Sequence, residues 1–316
     1  MQRFKNILLY HDVETRSKAS LGRAVELAGR NQARLTIVDV LEESQDFPEM
    51  TFTSPPLPDL RDLVKQKKRN RLEKLVASIQ EEGVSAKAKL LFGTPFIEII
   101  REVVRNKHDL VIKKAEGAGG LTEMLFGSTA MHLMRKCPCP VWIMKPTRSK
   151  RYSRILAAVD PQPGNQERES LNVKIMDLAT SLAQLEQSQL HVLHVRSLYR
   201  DYTRGSVQSS TPANLLDDLI DDTRKIHQRR LDELLGKYDL KNIKHQIHLP
   251  TGDPEKLIPE VAQKKRINLL VMGTVCRTGV SGLLIGNTAE KVLHQVNCSV
   301  LTVKPDGFVT PVKLED

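Results

Sequence analysis

The chain has 316 residues, 40% of them apolar and 27% charged, and a formal net charge of +10. That length suits two domains of about 150 residues, each able to bury its own core. No apolar run is long enough to span a bilayer, the start at Met1 is not an apolar signal segment, and Cys137, Cys139, Cys276 and Cys298 show no disulfide-framework spacing. The expectation is a cytoplasmic protein with no membrane association.

The charge is uneven: residues 1–150 hold 26 Lys+Arg against 18 Asp+Glu, net +8, and the remainder 22 against 20, net +2. Lys65, Lys67, Lys68, Arg69, Arg71 and Lys74 form the densest basic cluster, which raises nucleic acid as a partner. Leu63, Val64, Leu72, Leu75, Val76 and Ile79 interleave with it at helical spacing, as on the solvated face of an ordinary helix, and at 4% aromatic residues a stacking platform is lacking. Nucleic acid is therefore the disfavoured partner.

In chain order, the first half reads as strand Ile7–Tyr10, helix Leu21–Ala28, strand Leu35–Val40, an irregular Pro-rich excursion from Ser44 to Pro58, and helix Leu60–Gln80. Strand Ala86–Phe92, helix Phe96–Val104, strand Leu110–Ile112, helix Ser128–Arg135 and strand Val141–Met144 follow. Pro146–Tyr152 is a short charged boundary. The second half repeats the series: Ile155–Val159, Leu171–Leu182, Leu190–Val195, an excursion over Arg196–Pro212, Leu215–Leu235, Ile243–Leu249, Pro254–Gln263, Leu269–Met272, Thr288–Val296 and Val300–Val303. Strands alternating with helices imply an α/β fold with a parallel sheet covered on both faces and ligands at the carboxyl ends of the strands.

The halves are copies of one unit. Leu110–Lys145 overlies Leu269–Lys304 without a gap at a shift of 159, placing Gly127-Ser128 on Gly286-Asn287, Cys139 on Cys298 and Lys145-Pro146 on Lys304-Pro305. Gly93-Thr94-Pro95 matches Gly252-Asp253-Pro254, and the segment Asn6 to Asp12 matches Arg154 to Asp160. The reading is domain 1 over residues 1–148, domain 2 over 151–306 and a C-terminal tail over 307–316.

Within domain 2, strand Leu269–Met272 stops at Gly273, a loop of small residues follows, and an amphipathic helix begins after Gly286, with Asn287 placed to cap it and Glu290 to reach back. A helix start with a glycine beside it suits an anion. The spacing Gly273-x2-Cys276-x9-Gly286-Asn287 resembles, with one change, the G-x2-G-x9-G-[S/T/N] pattern of ATP-binding universal stress proteins, and fits neither a Walker A loop nor a dinucleotide fingerprint. Asn297–Lys304 is similar to that family's last strand, and the close from Lys304 to Val312 to that of its two-domain members.

This resemblance covers nearly the whole chain. It implies two tandem domains, each a five-stranded parallel sheet with helices on both faces, of the adenine nucleotide alpha hydrolase-like type. It also implies ATP or another adenine nucleotide, with Mg as accompanying ion. Asp160 would meet the nucleoside, Val195 would line the adenine pocket, and Gly273, Cys276, Arg277, Gly286, Asn287 and Thr288 would hold ribose and phosphates. In domain 1 the matching set is Asp12, Val40, Gly117, Gly127 and Ser128, but Lys114 replaces the first glycine, so no standard ATP site is expected there. Cys276 puts a side chain where the family has its second glycine. The resemblance further implies pairing of the two domains through their last strands and a homodimer of tandem chains. The role implied is stress response, with survival under DNA damage, starvation or oxidative challenge.

Other chemistry has little support in the residues. Cys137-Pro138-Cys139 lacks metal-site spacing, His191 and His194 read as core or strand-end histidines, and no nucleophile elbow is present, so no catalytic or metal residue is assigned. The expectation is a nucleotide-dependent regulator rather than an enzyme. The alternatives are a weak ATPase, and a scaffold whose pockets take no nucleotide or take another small molecule such as a lipid intermediate.

Overall fold

Runs of branched apolar residues set the strands, and what each strand packs against follows from their burial. In the computed structural model, which describes residues 3–12, 18–42, 58–116, 126–146, 151–162, 166–196, 213–274 and 286–314 (backbone alone at 58–61 and 213–220), ten strands and eight helices alternate. The chain divides into one unit of Met1–Lys150 with Val309–Asp316, and a second of Arg151–Phe308.

Unit 1 runs β1 (Asn6–Tyr10), α1 (Lys18–Asn31), β2 (Arg34–Leu41), α2 (Pro58–Glu81), β3 (Ala86–Phe92), α3 (Pro95–Asn106), β4 (Leu110–Lys114), α4 (Ser128–Lys136) and β5 (Val141–Met144). Unit 2 runs β6 (Arg154–Ala158), α5 (Gln166–Glu186), β7 (Gln189–Leu193), α6 (Ala213–Leu235), β8 (His245–His248), α7 (Pro254–Lys264), β9 (Leu269–Gly273), α8 (Asn287–Gln295) and β10 (Ser299–Val303). Helix α5 extends beyond the apolar window from Leu171 to Leu182, because its first and last turns carry polar residues that no periodicity marks. Strand β8 is shorter than its apolar reading, since three of its four residues face solvent at a sheet edge.

All pairings within a unit are parallel. The order is β3-β2-β1-β4-β5 in unit 1 and β8-β7-β6-β9-β10 in unit 2. Helices cover both faces of such a sheet, and its central strands are accordingly dry. Leu8, Ile37, Val111, Leu156, Val192 and Val271 are fully buried.

The repeat recurs in the backbone. Left-handed non-glycine residues end matching helices, Gln32 with Gln187 and Lys107 with Arg266, at φ of 50–55°. Asp109 accepts from the N–H groups of Lys5 and Asn6, and Asn268 does the same for Ser153 and Arg154. Each contact ties the start of the central strand to the residue just before β4 or β9, and so sets their register.

A buried ion pair joins sheet to helix in unit 1. Asp39 of β2, 1% exposed, lies 3.4 Å from Nζ of Lys68 on α2, 7% exposed. The Asp39 carboxylate also accepts the Val40 N–H at 2.8 Å. Burial makes the pair costly to break from one side. Lys68→Met is expected to cost about 3–5 kcal/mol in denaturant titration, and adding Asp39→Leu to recover most of that loss.

Candidate functional site

In each unit the strand order reverses beside the central strand, between β1 and β4 and between β6 and β9, which opens a crevice at the carboxyl ends of the strands. The topology carries Asp12, Val40, Gly127 and Ser128 to that end of unit 1, and Asp160, Val195, Gly273, Gly286, Asn287 and Thr288 to that end of unit 2. Gly117, Cys276 and Arg277 lie outside the described residues, as do most of the excursions after β2 and β7.

In unit 2 the two ends of the glycine-containing loop are tied together. Gly273 closes β9, where a Cβ would come within 2.6 Å of Cδ2 of Leu171 on α5, so this glycine makes room for a helix side chain. Thr274 is fully buried; its N–H donates to the Val303 carbonyl at 3.3 Å, and its carbonyl accepts the Gly286 N–H at 3.0 Å. Its hydroxyl accepts from Nζ of Lys304, 3% exposed, at 2.5 Å. The residue holding the loop start is thus a lysine at the end of the last strand.

Helix α8 begins one residue earlier than the capping pattern implies. The bond to Thr274 holds Gly286 extended, at φ −75° and ψ 140°, and makes it the N-cap; Asn287 becomes the first helical residue. The Glu290 N–H bonds to the Gly286 carbonyl at 3.0 Å. A glycine N-cap supplies no side-chain oxygen, so first-turn N–H groups face the crevice without a side-chain cap.

The Asp160 backbone is held on both sides by one side chain. Asn172 of α5 accepts the Asp160 N–H at 2.8 Å and donates to its carbonyl at 2.9 Å. The carboxylate, 30% exposed, has Oδ1 3.9 Å from Nδ1 of His194. Val195 is buried. His194, 1% exposed, lies 3.2 Å from the Val159 carbonyl through Nδ1 and 2.7 Å from Nδ1 of His227 on α6 through Nε2. Burial pushes the His194 imidazole down to about 4, with the Asp160 charge acting against that shift. A second pair, His191 Nδ1 to His248 Nε2, spans 2.9 Å between β7 and β8.

Unit 1 builds the same crevice differently. Gly127, N-cap of α4, has φ 77° and ψ 161°, and a Cβ there would come within 1.9 Å of a Glu116 carboxylate oxygen. The side chain lying against the helix start is therefore Glu116, two residues beyond Lys114. Its other carboxylate oxygen accepts from Nζ of Lys113 at 2.6 Å, and that ammonium lies 5.3 Å from the centre of the Tyr10 ring. Burial lowers the Lys113 pKa, while Glu116 opposes the shift. Tyr10 stands where unit 2 has Ala158, and burial followed by the Asp39 and Asp12 charges raises its phenol pKa. A tyrosine ring thus stands where unit 2 has the methyl group of Ala158, and a carboxylate lies against the start of α4.

Sequence reasoning missed Glu116, Lys304, Thr274 and the His194–His227 pair. The last was detectable: a shift of 159 sets His227 on Lys68, and the local shift of 155 between β2 and β7 sets His194 on Asp39. Two polar positions on different elements changed together. Among the described residues Cys137, Cys139 and Cys298 form no disulfide, the Cys137 and Cys139 sulfurs lie 3.6 Å apart, and no group of three or more His, Cys, Asp or Glu is placed to hold a metal.

Two outcomes follow from this geometry. Gly127→Ala is expected to cost about 1–2 kcal/mol in equilibrium unfolding, more than Gly286→Ala, whose backbone any residue adopts. The His191 imidazole, driven to about 4 chiefly by burial, is neutral in the folded chain, and its Nε2 has no hydrogen-bond partner. A base with a depressed folded pKa contributes fully above its unfolded value of about 6.5 and loses that contribution as pH falls toward 4. Melting temperature should therefore fall across pH 6.5 to 4, and His191→Leu should flatten part of the fall.

The universal stress protein family profile matches residues 3–145 and 151–304. Universal stress protein E of Escherichia coli K12 is 30% identical, covering 100% of this chain and 99% of that relative. A universal stress protein E homolog of Haemophilus influenzae is 27% identical over 96% of this chain and 98% of its own. A solved structure of a functionally unknown protein from Pseudomonas aeruginosa PAO1 is 27% identical at TM-score 0.71, covering 96% of this chain and 94% of that one. A universal stress protein from Archaeoglobus fulgidus, at 18% identity and TM-score 0.62, shares the fold. Matching twice along its length and over its whole extent in these relatives, the chain belongs to the universal stress protein family as a tandem member.

Proposed function

We propose that unit 2 binds ATP or a related adenine nucleotide, one per chain, and that the bound state is read out in a stress response. The observation that carries this reading is the contrast at the two helix starts. In unit 2, Gly286 caps α8 without a side chain and Thr274 closes the loop onto it. In unit 1, the Glu116 carboxylate lies against Gly127. Open first-turn N–H groups favour an anion, and a carboxylate already in place repels one.

The residues of unit 2 fit the ligand. The α8 start would take phosphates, the part-exposed Asp160 carboxylate would accept from ribose or adenine, and Val195 with the small Ala158 would line the base. Arg277, along the same loop, would add a charge-assisted bond to phosphate. The chain serves as a regulator of survival under DNA damage, starvation or oxidative stress, and two chains associate as a homodimer, which light scattering tests.

Titration calorimetry checks the assignment of the site. ATP is expected to bind the wild-type chain once. Gly286→Asp, which places a carboxylate at the helix start, should abolish binding, while Gly127→Asp should leave it within about twofold. Loss on Gly127→Asp with retention on Gly286→Asp assigns the nucleotide to unit 1 instead. Absence of ATP binding by all three proteins, with a different small molecule retained through purification, overturns the nucleotide reading.

A further inference from the structure

The same position in the two units joins sheet to long helix with different chemistry. The Val38 and Leu193 carbonyls accept the His11 and Val159 N–H groups respectively, so the next residues, Asp39 and His194, are structural equivalents. Their partners, Lys68 on α2 and His227 on α6, are equivalents at the shift of 159. Unit 1 holds a buried ion pair, and unit 2 holds two buried imidazoles in contact.

The imidazole pair has a determinate protonation pattern. His194 Nδ1 faces the Val159 carbonyl and must carry a proton to bond it. In the neutral ring Nε2 is then an acceptor, and takes the Nδ1–H of His227. Both rings are neutral in this arrangement, and both are at least 97% buried, at 1% and 3% exposure. An added proton on His194 makes Nε2 a donor, with His227 shifting to its other tautomer to accept. The groups facing the new charge are Asp160 at the end of β6, His227 from α6 and Arg196 following β7. Of these only Asp160 is an anion, and it already stands 3.9 Å away.

We propose that the His194–His227 pair makes the unit 2 crevice proton-sensitive: protonated His194 draws the Asp160 carboxylate inward, away from a ligand, whereas the Asp39–Lys68 ion pair leaves unit 1 without this response. The proton-coupled movement stands on the geometry of His194, His227 and Asp160; its effect on a ligand rests on the nucleotide reading of unit 2. By reciprocity a ligand held by Asp160 disfavours the protonated imidazole, so acidification releases the ligand.

The first measurement uses the ligand-free full chain. Imidazole and carboxylate NMR signals are followed from pH 7.5 to 3.5 in wild type, His227→Gln and the double variant His194→Asp/His227→Lys, which imports the unit 1 pair. The expected result is that His194 takes up a proton while the wild-type protein is still folded, that the Asp160 carboxylate signal moves with it, and that the double variant shows no such coupled step. A His194 ring that stays neutral until unfolding, or an Asp160 signal that moves identically in the double variant, overturns the proposal. Should the double variant not fold, His227→Gln decides: its altered His194 titration with a retained fold supports the coupling, and a titration unchanged from wild type overturns it.

Calorimetry with ATP at pH 7.5 and pH 4 is the second measurement. For one linked proton at an imidazole of pKa about 4, affinity falls about twofold at that pH beyond the change seen in His194→Asn. Comparison with His194→Asn cancels protonation of ATP. Equal falls in both proteins overturn the link to the ligand. Failure of ATP to bind at pH 7.5 sinks the nucleotide reading alone, since the ligand-free titration still decides the proton-coupled movement.

Discussion

Parallel pairing of the central strand on both sides is the constraint from which the rest of each unit follows. A strand bonded to parallel neighbours must send its chain back to the far end before the next strand begins, and the return is made by a helix on one face or the other. Both faces are then covered, the strands become apolar throughout, and every strand-to-helix loop emerges at one end. The crevice lies where the order turns from β1 to β2 on one side and β4 on the other. Position in this fold is therefore decided by topology before any polar residue is considered.

Several polar residues of the dry interior are answered by a partner from another element. Asp39 meets Lys68, Thr274 meets Lys304, and His194 meets both His227 and the Val159 carbonyl. Each contact runs between elements distant in sequence, and each lies at or just before the crevice. Desolvation makes such groups expensive singly and directional when paired, so they hold strand ends and helix starts in a defined relation. Lys304 anchors the start of the unit 2 loop through Thr274; in unit 1 the equivalent Lys145 lies over the Phe126 ring, 4.6 Å from its centre, and Ala115 stands where Thr274 does.

Duplication gives a reference that a single domain lacks. Where both units keep a feature, as in the left-handed helix ends at Lys107 and Arg266 or the strand ties by Asp109 and Asn268, the backbone needs it in either context. Where the units differ in step, at Tyr10 against Ala158, Lys114 against Gly273, and Asp39 with Lys68 against His194 with His227, the difference gathers at the crevice. The scaffold is shared and the site has diverged, as expected when function is carried by residues set on a common fold.

The alternation of apolar strands with amphipathic helices, and the overlay of Leu110–Lys145 on Leu269–Lys304, are properties of local order in the chain. The sequence by itself therefore determined the α/β architecture, the duplication and the family, along with the helix-start glycines Gly127 and Gly286. Tertiary structure alone decided what surrounds those glycines. Glu116 lies eleven positions from Gly127, and Leu171 about a hundred from Gly273, yet each is its neighbour. The start of α8 at Asn287 instead of a cap there depends on a backbone bond to Thr274, which no side-chain pattern encodes. The histidines of β7 read locally as core residues; their pairing required α6 and β8 to be brought against the strand, because a hydrogen bond between side chains is set by distance in space, and periodicity records only which face a residue occupies.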